Sequence, residues 1–420
     1  MKSFLRWAIQ KYLIFRAKRV LRRSKTRIIA ITGSVGKTST KEAIYQVLKK
    51  KFNVHRSTKS YNTPIGMCLT ILQQKESGFS SVRRWAKILI QVSFHKIKMP
   101  DFLILEMGAD QPGDIRQLIK IAKPNISVIT HIKGVHLGEG QFKNIKQIAR
   151  EKSHLIRHLK PNDVAILNDD DFQIHKMNTR AQVITYGQAN GVKLQAKKVK
   201  QMADSVTFQA YYQGNAQTFN VPVLGDFQVY VCLPALAVGL HLGMSLKECA
   251  KALKKFHLPP GRMNPLPGLK GSHLIDGSYN ASPTSMNAAL ELLEQLPGKR
   301  KIAALGTMNE LGETSEEEHL KLGKKAVKVA HLLITVGPEA NTLKSGALSA
   351  GMNKEKVFAF LDSKEAGRFL KEQVEQGDLI LIKGSQNKVR MEHCVKRLMK
   401  YPQNASRLLC RQGKGWKQKS

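Results

Sequence analysis

The stretch Thr32-Gly33-Ser34-Val35-Gly36-Lys37-Thr38-Ser39 has the residue types of a phosphate cradle. Backbone N–H groups of a Gly-rich turn at a helix start converge on one point and favour an anion there. Gly33 and Gly36 permit close backbone approach, Lys37 brings a charge to β- and γ-phosphates, and the Thr38 hydroxyl suits Mg²⁺. Two residues separate the glycines, where the common nucleotidase loop has four. The alternative is an ordinary tight strand-to-helix turn.

Further residues of the right chemistry follow. Glu106 closes an apolar run, Leu103-Ile104-Leu105-Glu106, and a carboxylate at a strand's carboxyl end suits Mg²⁺. The alternative is a strand-end carboxylate paired with one of the chain's many cations. His136 lies in a loop and reads either as a metal or phosphate contact or as a solvated histidine. Lys152 sits in a helical stretch where a surface lysine is the default. Asp276 ends another apolar run and precedes Gly277-Ser278-Tyr279-Asn280-Ala281-Ser282-Pro283. That segment reads either as a ligand face or as a turn and N-cap, since Ser-Pro suits a helix start. Arg262 falls in the breaker cluster Pro259-Pro260-Gly261-Arg262, a hinge from which it would reach phosphate on domain closure.

The elements that would position these residues alternate along the chain. Strand-like runs over 28–32, 102–107, 126–130, 164–168 and 183–186 are separated by helical patterns over 38–50, 113–122, 144–159 and 172–178. This rhythm predicts an α/β fold with a mainly parallel sheet, which binds ligands at the strands' carboxyl ends. Short β segments over 194–223 and a largely helical stretch over 226–257 follow. A second alternating series has strands over 273–276, 301–306, 332–337, 357–361 and 378–384. Its helices fall over 284–296, 315–330, 339–350, 363–374 and 388–399. It reads as a Rossmann-like domain without the G-x-G-x-x-G fingerprint of a dinucleotide site. The expected organisation is a basic amphipathic helix at 1–26, a central phosphate-loop domain at 27–260, a C-terminal α/β domain at 261–410 and a frayed basic tail at 411–420.

Composition sets bounds. The 420 residues are 42% hydrophobic and 24% charged, as in folded globular chains. The formal charge of +38 invites a nucleic-acid or anionic-membrane reading. The basic residues are spread along the chain without aromatic interleaving, so no nucleic-acid partner is expected and a soluble basic surface is preferred. Residues 1–26 carry Phe4, Leu5, Trp7, Ile9, Tyr12, Leu13 and Phe15 among lysines and arginines. Such a helix either lies on an anionic membrane or docks on its own domain or a partner. Cys68, Cys232, Cys249, Cys394 and Cys410 form no C-x-x-C, which fits a reducing, cytoplasmic setting. No apolar run is long enough to span a bilayer, and no signal peptide is expected.

Taken together and in order, these motifs resemble the Mur ligases, ATP-dependent amide-forming enzymes of peptidoglycan synthesis. The resemblance rests on residues 32–39, Leu105-Glu106-Met107-Gly108-Ala109, Val135-His136-Leu137, Glu151-Lys152, Gly261-Arg262, residues 276–283, Gly306-Thr307-Met308-Asn309-Glu310-Leu311-Gly312 and Lys383-Gly384-Ser385. It implies ATP and Mg²⁺ as cofactors, and an acyl phosphate attacked by an amine. By the family pattern, Gly33, Ser34, Val35, Gly36, Lys37, Thr38 and Ser39 hold the phosphates. Thr38 and Glu106 hold one Mg²⁺, and His136 with a carbamylated Lys152 holds a second. Lys37 and Arg262 stabilise the transferring phosphoryl group, Asp276 and Asn280 lie at the nucleotide, and Asn62 and Thr63 meet the nucleotide-sugar substrate. The implied substrates are a nucleotide-linked muramoyl peptide and D-alanyl-D-alanine or a similar amine. The alternatives are a related ligase for a poly-amino-acid or folate-glutamate acceptor, or a non-catalytic nucleotide-binding relative. The sequence departs from the family at Gly277, where a second Asp is usual, and at His131, where an Asn is usual. Ahead of the phosphate loop only the basic helix stands where the family's uridine-nucleotide domain is expected.

Overall fold

The computed structural model describes residues 2–58, 61–74, 82–94, 97–134, 140–386, 389–413 and 416. They divide into two compact units. The first comprises Met1–Lys198, Phe208–Phe219 and Val229–Phe256, and the second Val199–Thr207, Asn220–Gln228 and His257–Ser420.

The larger sheet contains β1 (Arg27–Thr32), β2 (Val54–Arg56), β3 (Phe102–Glu106), β4 (Ile126–Ile129), β5 (Val164–Asn168), β6 (Gln182–Gly187), β7 (Leu194–Gln201), β8 (Val206–Tyr212) and β9 (Asn215–Val221). Its order is β2-β3-β1-β4-β5-β6-β7-β8-β9. The pairs from β2 through β7 are parallel. Ile28 to Ile31 are all buried, as a parallel strand covered on both faces requires. The register sets Ile31 beside Glu106 and Thr32 beside Ile129, so β3 and β4 end level with the start of the Gly-rich loop.

Helices α1 (Lys2–Arg22), α2 (Lys37–Leu48), α3 (Pro64–Ile71), α4 (Val82–Phe94), α5 (Asp114–Ile121) and α6 (Ile145–Arg157) belong to this unit. The basic helix docks on its own unit. Ile9, Leu13 and Ala17, spaced four apart on one helix face, are buried in the same apolar core as Met67, Leu103 and Ile115. The sequence rhythm misses β2, α3 and α4. The three residues of β2 are too few to show a period, and α3, Pro64-Ile65-Gly66-Met67-Cys68-Leu69-Thr70-Ile71, is too uniformly apolar.

The second unit is built on β10 (Asn264–Pro267), β11 (His273–Gly277), β12 (Arg300–Gly306), β13 (Leu332–Val336), β14 (Val357–Phe360) and β15 (Asp378–Lys383), in the order β10-β11-β15-β12-β13-β14. All pairs are parallel except the short edge strand β10, which runs antiparallel to β11. Apolar clusters lie on both faces of this sheet. The fold is thus the expected α/β class with mainly parallel sheets. The frayed tail expected from Arg411 is corrected at Arg411 itself. Its side chain is 5% exposed, and its guanidinium pairs with Glu392 Oε2 at 2.7 Å.

Candidate functional site

The Gly-rich loop is clasped by the segment after β4. Ser34 N donates to His131 O at 2.6 Å, Ser34 Oγ donates to Lys133 O at 3.0 Å, and Thr130 Oγ1 donates to Val35 O at 2.6 Å. Ser34 and Val35 therefore fix the loop's shape. Gly33 has φ 147°, and a Cβ there would come within 2.0 Å of Thr130 Oγ1. Gly36 has φ 87° and is the N-cap of α2, a left-handed conformation suited to glycine. Lys37 Nζ donates to Gly33 O at 2.7 Å, so its ammonium lies over the loop. Thr38 and Ser39 are buried in the first turn of α2.

Glu106 meets this turn. Thr38 Oγ1 donates to Glu106 Oε2 at 3.2 Å. Glu106 Oε1 takes no well-aligned hydrogen bond and faces Lys41 Nζ at 3.0 Å. Lys41 was not singled out from the sequence. Its signal was its position three residues after Thr38, on the same helix face. A hydroxyl and a carboxylate are hard oxygen donors and fit Mg²⁺. Among the described residues, no group of three or more His, Cys, Asp and Glu is placed to hold a metal ion. A Mg²⁺ here would thus complete its shell with phosphate and water oxygens. His136 lies outside the described residues.

Lys152 is no surface lysine. It is 2% exposed on α6. Burial, reinforced by the nearby Lys37 charge, pushes its amine down to about 7. Its neighbour Glu151 accepts from Gly113 N at 3.0 Å and Ile115 N at 2.8 Å. That ties α6 to the start of α5 and fixes the turn that carries Lys152. Asn62 packs against the loop just past Glu106, since a Cβ on Gly108 would come within 2.5 Å of Asn62 Nδ2. Thr63 caps α3, accepting from Gly66 N at 3.3 Å.

The remaining candidates lie in the second unit. Arg262 stacks on the Tyr279 ring at 4.2 Å. Gly261, φ 76°, is needed there, because a Cβ would come within 2.9 Å of Tyr279 N. Asp276 is fully buried at the end of β11. Its Oδ1 accepts from Ser278 N at 3.0 Å, and its Oδ2 has no hydrogen-bond partner among the described residues. Burial pushes its carboxyl up to about 6. Lys383, paired in register with Gly277, donates to Asn280 O at 2.8 Å. Burial, with Arg262 adding to it, pushes its amine down to about 8. Ser282 and Pro283 form the N-cap and first turn of the helix Pro283–Gln295, so that part of the segment is a helix start.

The His131 substitution is accommodated locally. Asn168 Nδ2 donates to His131 Nε2 at 3.0 Å, and the His131 ring meets Tyr230 edge-on at 5.0 Å.

Comparison with known proteins identifies two domains. Residues 31–239 match the Mur ligase middle domain, and residues 261–386 match the Mur ligase glutamate ligase domain. The UDP-N-acetylmuramoyl-tripeptide–D-alanyl-D-alanine ligase of Bacillus subtilis is 31% identical over 388 residues, 92% of this chain and 79% of that one. The MurF ligase of Thermotoga maritima, solved in complex with ADP, superimposes with a TM-score of 0.78 at 28% identity, covering 94% of this chain and 84% of that one. A crystal structure of MurF from Acinetobacter baumannii gives a TM-score of 0.76 at 27% identity, over 93% of this chain and 79% of that one. Two matched domains in family order, with the likeness to the Bacillus subtilis ligase, establish that this chain belongs to the Mur ligase family of ATP-dependent ligases.

Proposed function

We propose that this chain joins D-alanyl-D-alanine, or a similar amine, to a nucleotide-linked muramoyl peptide in peptidoglycan precursor synthesis. The observation that carries the reading is the Thr38 hydroxyl 3.2 Å from the Glu106 carboxylate at the mouth of the Gly-rich loop. The likeness to the Bacillus subtilis ligase supports the choice of substrates.

In this reading a substrate carboxylate oxygen attacks the γ-phosphorus of ATP. The bond from that phosphorus to the bridging oxygen breaks, and ADP leaves. The amine then attacks the acyl phosphate carbon and loses a proton, and the tetrahedral intermediate expels phosphate. No protein nucleophile is required, so the chain's contribution is position and charge. Residues 33–39 cradle the phosphates, with Lys37 over the transferring group. Thr38 and Glu106 would hold Mg²⁺. When bound, Mg²⁺ neutralises phosphate charge and orients the oxygens. Lys152, with its proton already loosely held, adds CO₂ through its neutral amine and releases a proton. With His136, the resulting carbamate would hold a second Mg²⁺, which would help to neutralise phosphate charge. Asn62 and Thr63 are assigned to the nucleotide-sugar substrate, and Arg262, Asp276 and Asn280 to the nucleotide.

The reaction is placed in the cytoplasm, at the inner face of the membrane, with residues 1–26 as the membrane contact. Mass spectrometry of an acceptor screen with ATP and Mg²⁺ tests the assignment. The expected product is the muramoyl peptide extended by the dipeptide, formed one-for-one with ADP and phosphate. Extension of a folate or poly-amino-acid acceptor instead would overturn the substrate assignment.

A further inference from the structure

We infer that α1 and α4 together form a peripheral docking surface for an anionic lipid bilayer. The inference rests on the membrane contact placed above on residues 1–26. It adds a second helix and the class of lipid.

The outward stripe of α1 reads Phe4, Trp7, Lys11, Phe15, Arg19 and Arg22, at three- and four-residue spacing. Phe4 is 72% exposed, and Trp7 and Phe15 are each 57% exposed. The inward stripe of Ile9, Leu13 and Ala17 is already used in docking, so the outward aromatics are surplus to the fold. The Phe4 and Trp7 rings stack at 5.9 Å, and Lys11 Nζ lies 5.6 Å from the Trp7 ring centre. Helix α4 repeats the pattern. Trp85, Ile88 and Val92 face inward, while Arg83, Lys87, Ile90 and Phe94 face out, Phe94 at 83% exposure. The two helices are joined: Tyr12 Oη and Ser93 Oγ are hydrogen-bonded, and Arg16 donates to the carbonyls of Val92 and Ser93. The Phe94 end of α4 thus abuts the middle of α1.

Charge selects the occupant. No acidic residue occurs between Lys2 and Lys41, nor anywhere in α4. Aromatic side chains spaced among lysines and arginines, with no acid to repel anions, suit a headgroup layer over an apolar interior. No described helix is long and apolar enough to cross a membrane, so the mode is adsorption. Helix α1 precedes the residues matched to the ligase middle domain.

The test is co-sedimentation of the full chain with vesicles of phosphatidylglycerol and phosphatidylcholine, against phosphatidylcholine alone. Binding to the anionic vesicles alone is expected, falling at least about tenfold between 0.1 and 0.5 M salt as screening shortens the field. Phe4→Ser with Trp7→Ser, and separately Ile90→Ser with Phe94→Ser, are each expected to weaken binding about tenfold. Thermal unfolding and ATP turnover of these surface variants are expected to match the parent. If only the α1 pair weakens binding, the two-helix surface is wrong while the contact through residues 1–26 stands. If the parent ignores anionic vesicles, both fail, whatever the ligase assay shows. If the parent self-associates and either pair abolishes this, the face belongs to a second copy and the lipid assignment is overturned.

Discussion

Lys41 Nζ stands 3.0 Å from Glu106 Oε1 while Thr38 Oγ1 donates to Glu106 Oε2, so one buried carboxylate is held from both sides by residues one helical turn apart. The Lys41 side chain is fully buried and that of Glu106 is 1% exposed. Lys41 also pairs with Glu42 at 3.4 Å. Removing one partner of such a pair strands the other's charge away from water. Lys41→Met should therefore destabilise the chain by roughly 3–5 kcal/mol. Adding Glu106→Gln should recover much of that loss, because no unpaired charge then remains beside Thr38. Urea unfolding of the parent, the two single variants and the double variant measures the coupling. Additive effects would show that the pair does not act as a unit.

Lys152 makes a pH prediction with a definite sign. Burial lowers its native amine to about 7, from an ordinary value of 10.5. Between these values the unfolded chain holds a proton that the native chain does not, so stability rises with pH across that window. Below about 7 both forms are protonated, and the full burial penalty is felt. Replacing Lys152 with Met should remove this rise, seen as a smaller gain in urea midpoint between pH 7 and 9.5. The same deprotonation lets CO₂ add. Carbon-13 bicarbonate at pH 8 should give a carbamate resonance in the parent and none in Lys152→Met.

The legible parts of the chain were those encoded locally. The order of strands and helices, the loop around Gly33 and Gly36, and Glu106 at a strand end all follow from residue type and short-range period. The burial of Lys152 was not legible, because burial of a helical lysine depends on what covers it. Here Glu151 binds the start of α5 and pulls that face inward. Lys41 was hidden for the same reason, since its partner lies 65 residues away, on β3. The Ser282-Pro283 helix start was readable as a cap, whereas the buried, half-satisfied Asp276 beside it needed the β11–β15 pairing to be seen. Arg411 failed most plainly. Gly and Lys content predicts a loose end, but a single guanidinium with long-range partners outweighs local composition.

Asp276 behaves in the opposite sense to an ordinary ion-paired carboxylate. Burial raises it from 3.8 to about 6, so the native chain binds its proton more tightly than the unfolded chain. Its contribution to stability is fully present below about 3.8 and is lost as pH rises to about 6. Asp276→Asn keeps the shape and removes the ionisation. The stability difference between variant and parent should move in the variant's favour from pH 4 to pH 6.5 and then level off. Urea midpoints at matched pH values read this directly. If Asp276 also contacts the nucleotide, ATP turnover should fall in the same variant even where it is the more stable protein.

Arg411 holds the segment that carries Asp276 and Asn280. Its guanidinium meets Glu392 at 2.9 Å through Nε and 2.7 Å through Nη2, and Nη1 donates to Tyr279 O at 2.9 Å; Nη2 also reaches Ser278 O. Glu392, fully buried, keeps one further partner, Arg390 Nε at 3.0 Å. Arg411→Ala should thus cost about 3 kcal/mol, the scale for stripping one partner from a buried carboxylate. Two carbonyls beside Asp276 lose their donors, so the 276–280 turn should also loosen. In steady-state assays KM for ATP should rise more than kcat falls, because the groups that react are untouched. Arg411→Lys separates charge from geometry. One ammonium can pair with Glu392 but cannot reproduce the planar fork that also reaches both carbonyls. It should restore most of the stability and little of the ATP affinity, and equal recovery of both would show that Arg411 acts through charge alone.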